Sequence, residues 1–143
     1  MPNNSAIEVE VNYHYQTEPE KVYQAWLSEE LAQQWFGPGL GETEPVQIDA
    51  NVGGKFRIVQ VRDGQPVGHG GEYLALDRPN FLSFTWAMDG MEEISVVKVY
   101  ITPTSGGSSV KLVHEIDEQW REYIDRTREA WLGMMREMEE LIK

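Results

Sequence analysis

Polar and apolar residues alternate without a break near the start of the chain. Positions 7, 9, 11 and 13 are apolar or aromatic, while positions 8, 10, 12 and 14 are polar. A period of two places one set of side chains on each face of an extended strand. The pattern therefore predicts a strand from Ile7 to His14 that is buried on one face only.

A helix start follows this strand. Thr17 can cap a helix, and Glu20 can return the hydrogen bond as a capping box, while Pro19 is tolerated in the first turn. Apolar residues then recur at helical spacing from Val22 to Trp26. We expect a short helix here.

A second short helix ends on an aromatic pair. Ser28 begins it, and Leu31 and Trp35 lie one turn apart. The Gly-Pro-Gly run at 37–39 ends it, because Pro lacks a backbone donor and Gly permits the turn. Trp35 and Phe36 either close one rim of an apolar pocket or fasten the helix to the sheet edge, and the sequence leaves both open.

The middle of the chain repeats strand, turn, strand. Each apolar-rich segment ends at the Gly, Pro, Asn or Asp residues that tight reversals require. Short connections make consecutive strands antiparallel neighbours, so we expect a meander. The predicted strands cover residues 43–50, 55–62, 70–77, 81–88, 93–102 and 109–116.

From Asp117 the apolar period changes to that of a helix, and no Pro interrupts it before the C-terminus. The pattern predicts one long amphipathic helix, with charged residues on its outer face. Its apolar stripe consists of Trp120, Tyr123, Ile124, Thr127, Trp131, Met134, Met138 and Leu141.

A single antiparallel sheet must cover its apolar face, and this helix is the predicted element long enough to do so. We therefore predict one domain over residues 1–143 with an α+β fold. A curved antiparallel sheet wraps around the long C-terminal helix, and two short helices follow the first strand. Curvature that side chains do not fill leaves a cavity between sheet and helix.

Composition narrows the functional classes. The chain has 12 Lys and Arg against 24 Asp and Glu, a formal net charge of −12, which argues against nucleic acid and anionic membrane surfaces as partners. It has no Cys, which excludes a disulfide scaffold, a thiol nucleophile and a cysteine metal site. Signal-peptide and membrane-span patterns are not seen, so we expect a cytoplasmic location.

Four segments in order carry a resemblance to a known family: EKVYQAWLSEELAQQWFGPG, NVGGKFRI, GGEYLALDRPNFLSFTW and KLVHE followed by REAWLGMMREMEEL. Together they resemble the helix-grip superfamily of START-type domains, in the branch named for the activator of the heat-shock-protein-90 ATPase. The resemblance implies the helix-grip fold. The eukaryotic co-chaperone has an additional N-terminal domain with no counterpart here. Ala130 precedes Trp131 where the family often has Gly, a minor departure.

Candidate site residues follow from side-chain parity along the predicted elements. His114 shares its strand face with Leu112 and Ile116 and should point inward, where it could bind a ligand or act as an acid or base. His69 is the other acid-base candidate, and neither His has metal-ligand spacing, so we expect no metal and no cofactor. Arg57 and Glu72 are either an outward cross-strand pair or inward ligand groups. The predicted pocket lining is Trp35, Phe36, Phe56, Trp86, His114, Tyr123, Trp131 and Met134.

Three hypotheses about function remain. The leading one is a protein that binds a small apolar or amphipathic molecule in the cavity. The resemblance suggests a second, a chaperone-regulating or stress-response interaction module that uses its acidic surface. The third is a cofactor-free cyclase or hydrolase, as in some helix-grip relatives, but the sequence shows no nucleophile apparatus and we favour binding over catalysis. A homodimer is left open.

Overall fold

The computed structural model of the chain describes residues 6–90 and 94–142. The helices and most strands follow each other in the predicted order, but two strands of two residues replace the strand predicted at 43–50, and a 3₁₀ helix precedes the last helix. They are β1 (Ala6–Tyr15), α1 (Pro19–Leu27), α2 (Glu29–Trp35), β2 (Glu42–Thr43), β3 (Gln47–Ile48), β4 (Lys55–Arg62), β5 (Gln65–Asp77), β6 (Phe81–Met88), β7 (Ser95–Thr104), β8 (Gly107–Asp117), the 3₁₀ helix (Glu118–Tyr123) and α3 (Ile124–Ile142).

The strands form one antiparallel sheet with the order β1-β8-β7-β6-β5-β4-β2, and β3 also pairs with β4. From β4 to β8 every strand pairs with the next along the chain, so the predicted meander is confirmed. The first strand pairs with the last and forms one edge of the sheet, with Ala6 opposite Asp117 and Tyr15 opposite Ser108. The α+β class and the helix-grip architecture are confirmed.

The first strand behaves as its alternation predicts and anchors the C-terminal helix. Val9 and Val11 are buried, while Glu8 and Glu10 are exposed. Tyr15, at the end of β1, is buried as well, and its hydroxyl donates to the backbone oxygen of Met135 at 3.0 Å. This hydrogen bond connects β1 to the middle of α3.

The predicted capping box at the first helix is wrong. Helix α1 starts at Pro19 with Glu18 at the N-cap, and no side chain caps it. The Thr17 hydroxyl instead donates to the backbone oxygen of Ile142 at 3.2 Å. The tertiary contact competes for the same side chain, so Thr17 joins the helix entry to the chain's last helical turn.

The C-terminal helix is interrupted near its start, which the sequence did not predict. Glu118–Tyr123 form a 3₁₀ helix, and Trp120 within it has non-helical φ/ψ of −100° and 20°. The regular helix begins only at Ile124. Trp120 and Tyr123 are therefore carried on a separate short segment that lies between β8 and α3.

The sheet and α3 enclose an apolar core. Met135 and Met138 are fully buried, and Trp131 is 3% exposed. The indole of Trp131 lies 5.9 Å from that of Trp26 on α1 and 5.4 Å from that of Trp86 on β6, measured between ring centroids. Leu82 and Phe84 of β6 are buried in the same core.

Arg57 and Glu72 are both exposed on the other face of the sheet, which confirms the outward alternative. They do not form the cross-strand pair that this alternative assumed. The Arg57 guanidinium pairs with Asp89 at 2.6 Å, and Glu72 lies opposite Lys55.

In the described part of the chain, no helix is long and apolar enough to cross a membrane.

The sheet bends where β5 passes β6. The Glu72 amide donates to the Thr85 hydroxyl at 2.9 Å, and the pairing register shifts between Tyr73 and Ala75. A Cβ at Gly71 would collide with the carbonyl group of Thr85. The absence of a side chain at Gly71 therefore allows the close approach of the two strands, and the irregular pairing beside it bends β5.

We expect Gly71→Ala to lower the free energy of unfolding by about 3 kcal/mol or more, because backbone atoms must move to accept the methyl group. Gly133→Ala is the matched control. Its Cβ would meet open space within α3, so the change should raise the free energy of unfolding by up to about 1 kcal/mol. Urea denaturation of the three proteins measures both effects, and equal stability of wild type and Gly71→Ala would contradict the explanation.

Candidate functional site

A cavity of about 610 Å³ lies at one end of the sheet, next to the 3₁₀ helix and the first turn of α3. Its wall combines the end of β6, the start of β7, the end of β8 and the first residue of β1. Large apolar residues dominate the wall, and Met88 and Ile94 are exposed to solvent. The lining residues are Ala6, Trp86, Ala87, Met88, Ile94, Ser95, Val96, His114, Glu115, Ile116, Asp117, Trp120, Tyr123 and Thr127.

The structure divides the predicted pocket lining into two groups. Trp86, His114 and Tyr123 lie on the wall of this cavity. The other five lie elsewhere: Trp35, Phe56 and Trp131 surround a void of about 20 Å³ in the core, and Phe36 and Met134 are buried at 4% and 6% exposure. Their part in ligand binding stays a prediction.

Trp35 and Phe36 take separate packing positions at the end of α2. The Trp35 indole nitrogen donates to the backbone oxygen of Ala25 at 2.9 Å, which ties α2 to α1. The Phe36 ring lies 4.8 Å from the His69 ring and 6.0 Å from the Trp86 indole. Trp35 thus contacts α1 and Phe36 contacts the sheet, and a role of the pair at the rim of a pocket stays a prediction.

Trp86 separates the cavity from the packed core. On the core side its indole stacks on Phe56, with ring centroids 5.9 Å apart, and contacts Trp131 at 5.4 Å. On the other side it lines the cavity, and it is only partly buried. An aromatic wall held from behind has a fixed orientation, which suits it to binding a ligand without rearrangement.

A chain of hydrogen bonds runs from the core to the cavity through His114, which is 5% exposed. The Trp131 indole nitrogen donates to His114 Nδ1 at 3.1 Å. His114 Nε2 lies 2.7 Å from Ser95 Oγ, and Ser95 Oγ lies 3.1 Å from the backbone oxygen of Trp86. The inward direction predicted for His114 is confirmed.

These contacts determine where the protons lie. An indole nitrogen only donates, so His114 Nδ1 must be the acceptor and carries no proton. A neutral imidazole then has its proton on Nε2 and donates it to Ser95 Oγ. The Ser95 hydroxyl proton is directed to the Trp86 carbonyl oxygen, which leaves one lone pair of Oγ without a hydrogen bond in this chain.

The tautomer decides what the Ser95–His114 pair can do. A serine nucleophile needs a base that accepts its proton, and a protonated Nε2 cannot accept it. Switching the tautomer would place an N–H of His114 against the N–H of Trp131. The pair is therefore arranged to accept a hydrogen bond from a ligand rather than to activate Ser95.

Burial lowers the pKa of His114 to about 4, so the ring is neutral at pH 7. Burial also lowers the pKa of His69 to about 4, and the nearby Arg62 contributes in the same direction. His69 lies outside the cavity wall described above, and its Nδ1 has no hydrogen-bond partner among the described residues. Of the two acid-base candidates, only His114 faces the cavity.

The charged residues on the cavity wall are two carboxylates, Glu115 and Asp117, and the first is paired. Glu115 forms an ion pair with Lys98 at 2.8 Å, and Asp117 Oδ1 accepts the backbone N–H of Gln119 at 2.9 Å. Among the described lining residues there is no Lys or Arg. Across the described ranges 6–90 and 94–142, no group of three or more His, Asp or Glu side chains could hold a metal ion.

Several wall residues were not in the predicted set. The helical spacing of Trp120 placed it in the predicted apolar stripe of the last helix. It lies on the cavity wall because it belongs to the 3₁₀ segment, which has no distinct sequence pattern. Ser95 could have been found from parity, because it lies opposite Trp86 on the neighbouring strand. Met88, Ile94 and Thr127 also lie on the wall and were not predicted as lining residues.

The curved sheet, the C-terminal helix and the cavity beside them define a helix-grip domain. Residues 16–143 match the model of the family described as activator of Hsp90 ATPase homolog 1-like protein, and the chain belongs to this family. No curated protein matches the sequence.

Solved structures support the same fold. A Staphylococcus aureus protein of unknown function is 25% identical, with a TM-score of 0.85 over 97% of this chain and 94% of that one. A Chromobacterium violaceum protein is 20% identical, with a TM-score of 0.83 over 94% and 96% of the two chains. An AHSA1-like protein from Aeromonas hydrophila is 20% identical, with a TM-score of 0.78 over 94% and 90%. These likenesses concern the fold alone.

The depressed pKa of His114 predicts a pH-dependent loss of stability. In the unfolded chain a His titrates near pH 6.5, at about its ordinary value. The folded ring titrates near 4. The unfolded state therefore binds more protons between these values, and stability falls as the pH drops from about 6.5 to about 4.

The wild type should lose stability between about pH 7 and pH 5, and His114 should account for about 2 kcal/mol of that loss. We therefore expect the loss in His114→Gln to be smaller by about 2 kcal/mol. Urea denaturation at the two pH values measures this difference. His14→Gln, at an exposed position on β1, is the matched control for losing a histidine. Identical pH profiles for wild type and His114→Gln would contradict a neutral, buried His114.

The tautomer of His114 can be observed directly. Nitrogen NMR of the histidine side chains at neutral pH should show His114 protonated at Nε2 and unprotonated at Nδ1. In Trp131→Phe, which removes the donor, we expect a mixture of tautomers. A protonated Nδ1 in the wild type would show that the hydrogen-bond chain is assigned wrongly.

Proposed function

We propose that the protein binds a small amphipathic molecule in the cavity beside the 3₁₀ helix. The observation that carries the proposal is the cavity itself, whose 610 Å³ lies within the range of about 300–1,000 Å³ that small-molecule sites occupy. Trp86, Trp120 and Tyr123 supply aromatic surface around it. Burying ligand surface there contributes about 25 cal/mol per Å² of apolar area.

The polar groups of the wall support binding of a molecule with one polar end. Ser95 and His114 lie together among apolar residues, so a polar ligand group near them can hydrogen bond while the rest of the ligand stays in apolar contact. Because the hydrogen bonds of His114 are already formed without a ligand, little reorganisation is needed on binding.

Filling the cavity should abolish binding. Thr127→Trp places a large ring in the cavity from the first turn of α3, whereas Glu129→Trp puts the same ring on the exposed face of that helix. With the fluorescent probe N-phenylnaphthylamine, we expect saturable binding to wild type and to Glu129→Trp, and at least tenfold weaker binding to Thr127→Trp. Fluorescence titration measures the affinities.

Thermal denaturation with and without the probe measures the same binding independently. Probe at about 100 times its dissociation constant should stabilise the wild type by about 2.7 kcal/mol, and Thr127→Trp much less. Equal binding to Thr127→Trp and to wild type, or no binding to the wild type, would exclude the cavity as the site.

A chaperone-regulating role stays a prediction that the family name suggests. It depends on the exposed acidic surface of the 3₁₀ helix and α3 rather than on the cavity. It would therefore survive Thr127→Trp and fail when exposed carboxylates such as Glu122 and Glu129 are reversed in charge. The same two sets of variants therefore separate the hypotheses.

A further inference from the structure

We propose that the ligand is uncharged and donates a hydrogen bond, from an alcohol or phenol hydroxyl group, to Ser95 Oγ. The inference rests on the proposed function and specifies the chemistry of the same cavity. It makes Ser95 the residue that determines specificity, and it makes His114 and Trp131 positioning residues that act through Ser95.

The requirement for a donor follows from the bonds that Ser95 already makes. Its hydroxyl proton is directed to the Trp86 backbone oxygen at 3.1 Å, and one lone pair receives the Nε2 proton of His114 at 2.7 Å. A hydroxyl oxygen has two acceptor lone pairs and one proton. What remains for a ligand is a single acceptor position.

The neighbouring groups keep Ser95 in this state. For its hydroxyl to donate to a ligand, Ser95 would have to give up its hydrogen bond to the Trp86 backbone oxygen. For His114 to accept from Ser95, its Nδ1 would carry a proton facing the Trp131 N–H. The first alternative exchanges one hydrogen bond for another, and the second leaves the buried Trp131 N–H without an acceptor, which costs free energy.

Strand register places the acceptor on the cavity side. Ser95 pairs with Trp86, so the two side chains share one face of the sheet. Val97 pairs with His114 and has the same parity as Ser95, which puts His114 on that face as well. Ser95 is partly buried and lines the cavity, so its oxygen is within reach of a bound molecule.

The charges around the cavity disfavour an anionic ligand. Asp117 borders it, Glu115 is already paired with Lys98, and none of its described lining residues is a Lys or Arg that could pair with a carboxylate or phosphate. His114 stays neutral because its Nδ1 is occupied as an acceptor. An anion would lose hydration on entering without gaining an opposite charge.

A matched series of aromatic probes tests both parts of the proposal. Naphthol donates a hydrogen bond, methoxynaphthalene of the same isomer only accepts one, and naphthoate carries a negative charge at neutral pH. Isothermal titration calorimetry of the wild type should show naphthol binding about fivefold more tightly than methoxynaphthalene. Naphthoate should bind more weakly than either.

Substitution at Ser95 then assigns the preference to one oxygen. Ser95→Ala should weaken naphthol binding about fivefold and leave methoxynaphthalene binding unchanged, so that the preference disappears. Ser109→Ala, the same change at an exposed position on β8, is the matched control and should retain the preference.

The outcomes separate this inference from the proposed function. Binding of the probes without preference, tighter binding of naphthoate, or an equal loss of both neutral probes in Ser95→Ala would overturn the donor requirement while cavity binding stands. A wild type that binds none of the three probes would overturn both.

Discussion

The buried indole N–H of Trp131 is the constraint on which the site depends. A donor that is nearly sealed from solvent needs an acceptor, and His114 Nδ1 provides it at 3.1 Å. That one contact sets the tautomer of His114, the direction of its Nε2 proton and, through it, the free acceptor position of Ser95. The chemistry offered to a ligand is thus decided in the core, by a residue that does not line the cavity.

Core and cavity share the sheet but differ in their packing. Around Trp26, Trp35 and Trp131 the space between sheet and helices is almost filled, with a void of only about 20 Å³. At the end of the sheet nearest Trp120 the elements diverge and 610 Å³ stays open. Trp86 belongs to both regions, and its contacts with Phe56 and Trp131 hold the dividing wall in place.

Much of the fold could be predicted from the sequence, because period and turn residues are local signals. The alternation in β1, the breaks between the middle strands and the inward direction of His114 were all predicted correctly. Thr17 was misassigned, since its hydroxyl bonds to the distant Ile142 rather than to its own helix. Which of the predicted lining residues border the larger cavity could not be predicted, because side-chain periodicity gives the buried face of an element and not the distance between two faces. The irregular 3₁₀ segment that carries Trp120 to the cavity wall could not be predicted, because its apolar residues keep a helical spacing.

The break between the 3₁₀ helix and α3 has a consequence for the shape of the cavity. The segment Glu118–Tyr123 has no buried residues, whereas α3 carries Trp131, Met135 and Met138 into the core. Substitutions at Trp120 or Tyr123 therefore change the wall of the cavity without altering the fully buried core. The shape of the cavity can therefore change through one short segment while the buried scaffold stays the same.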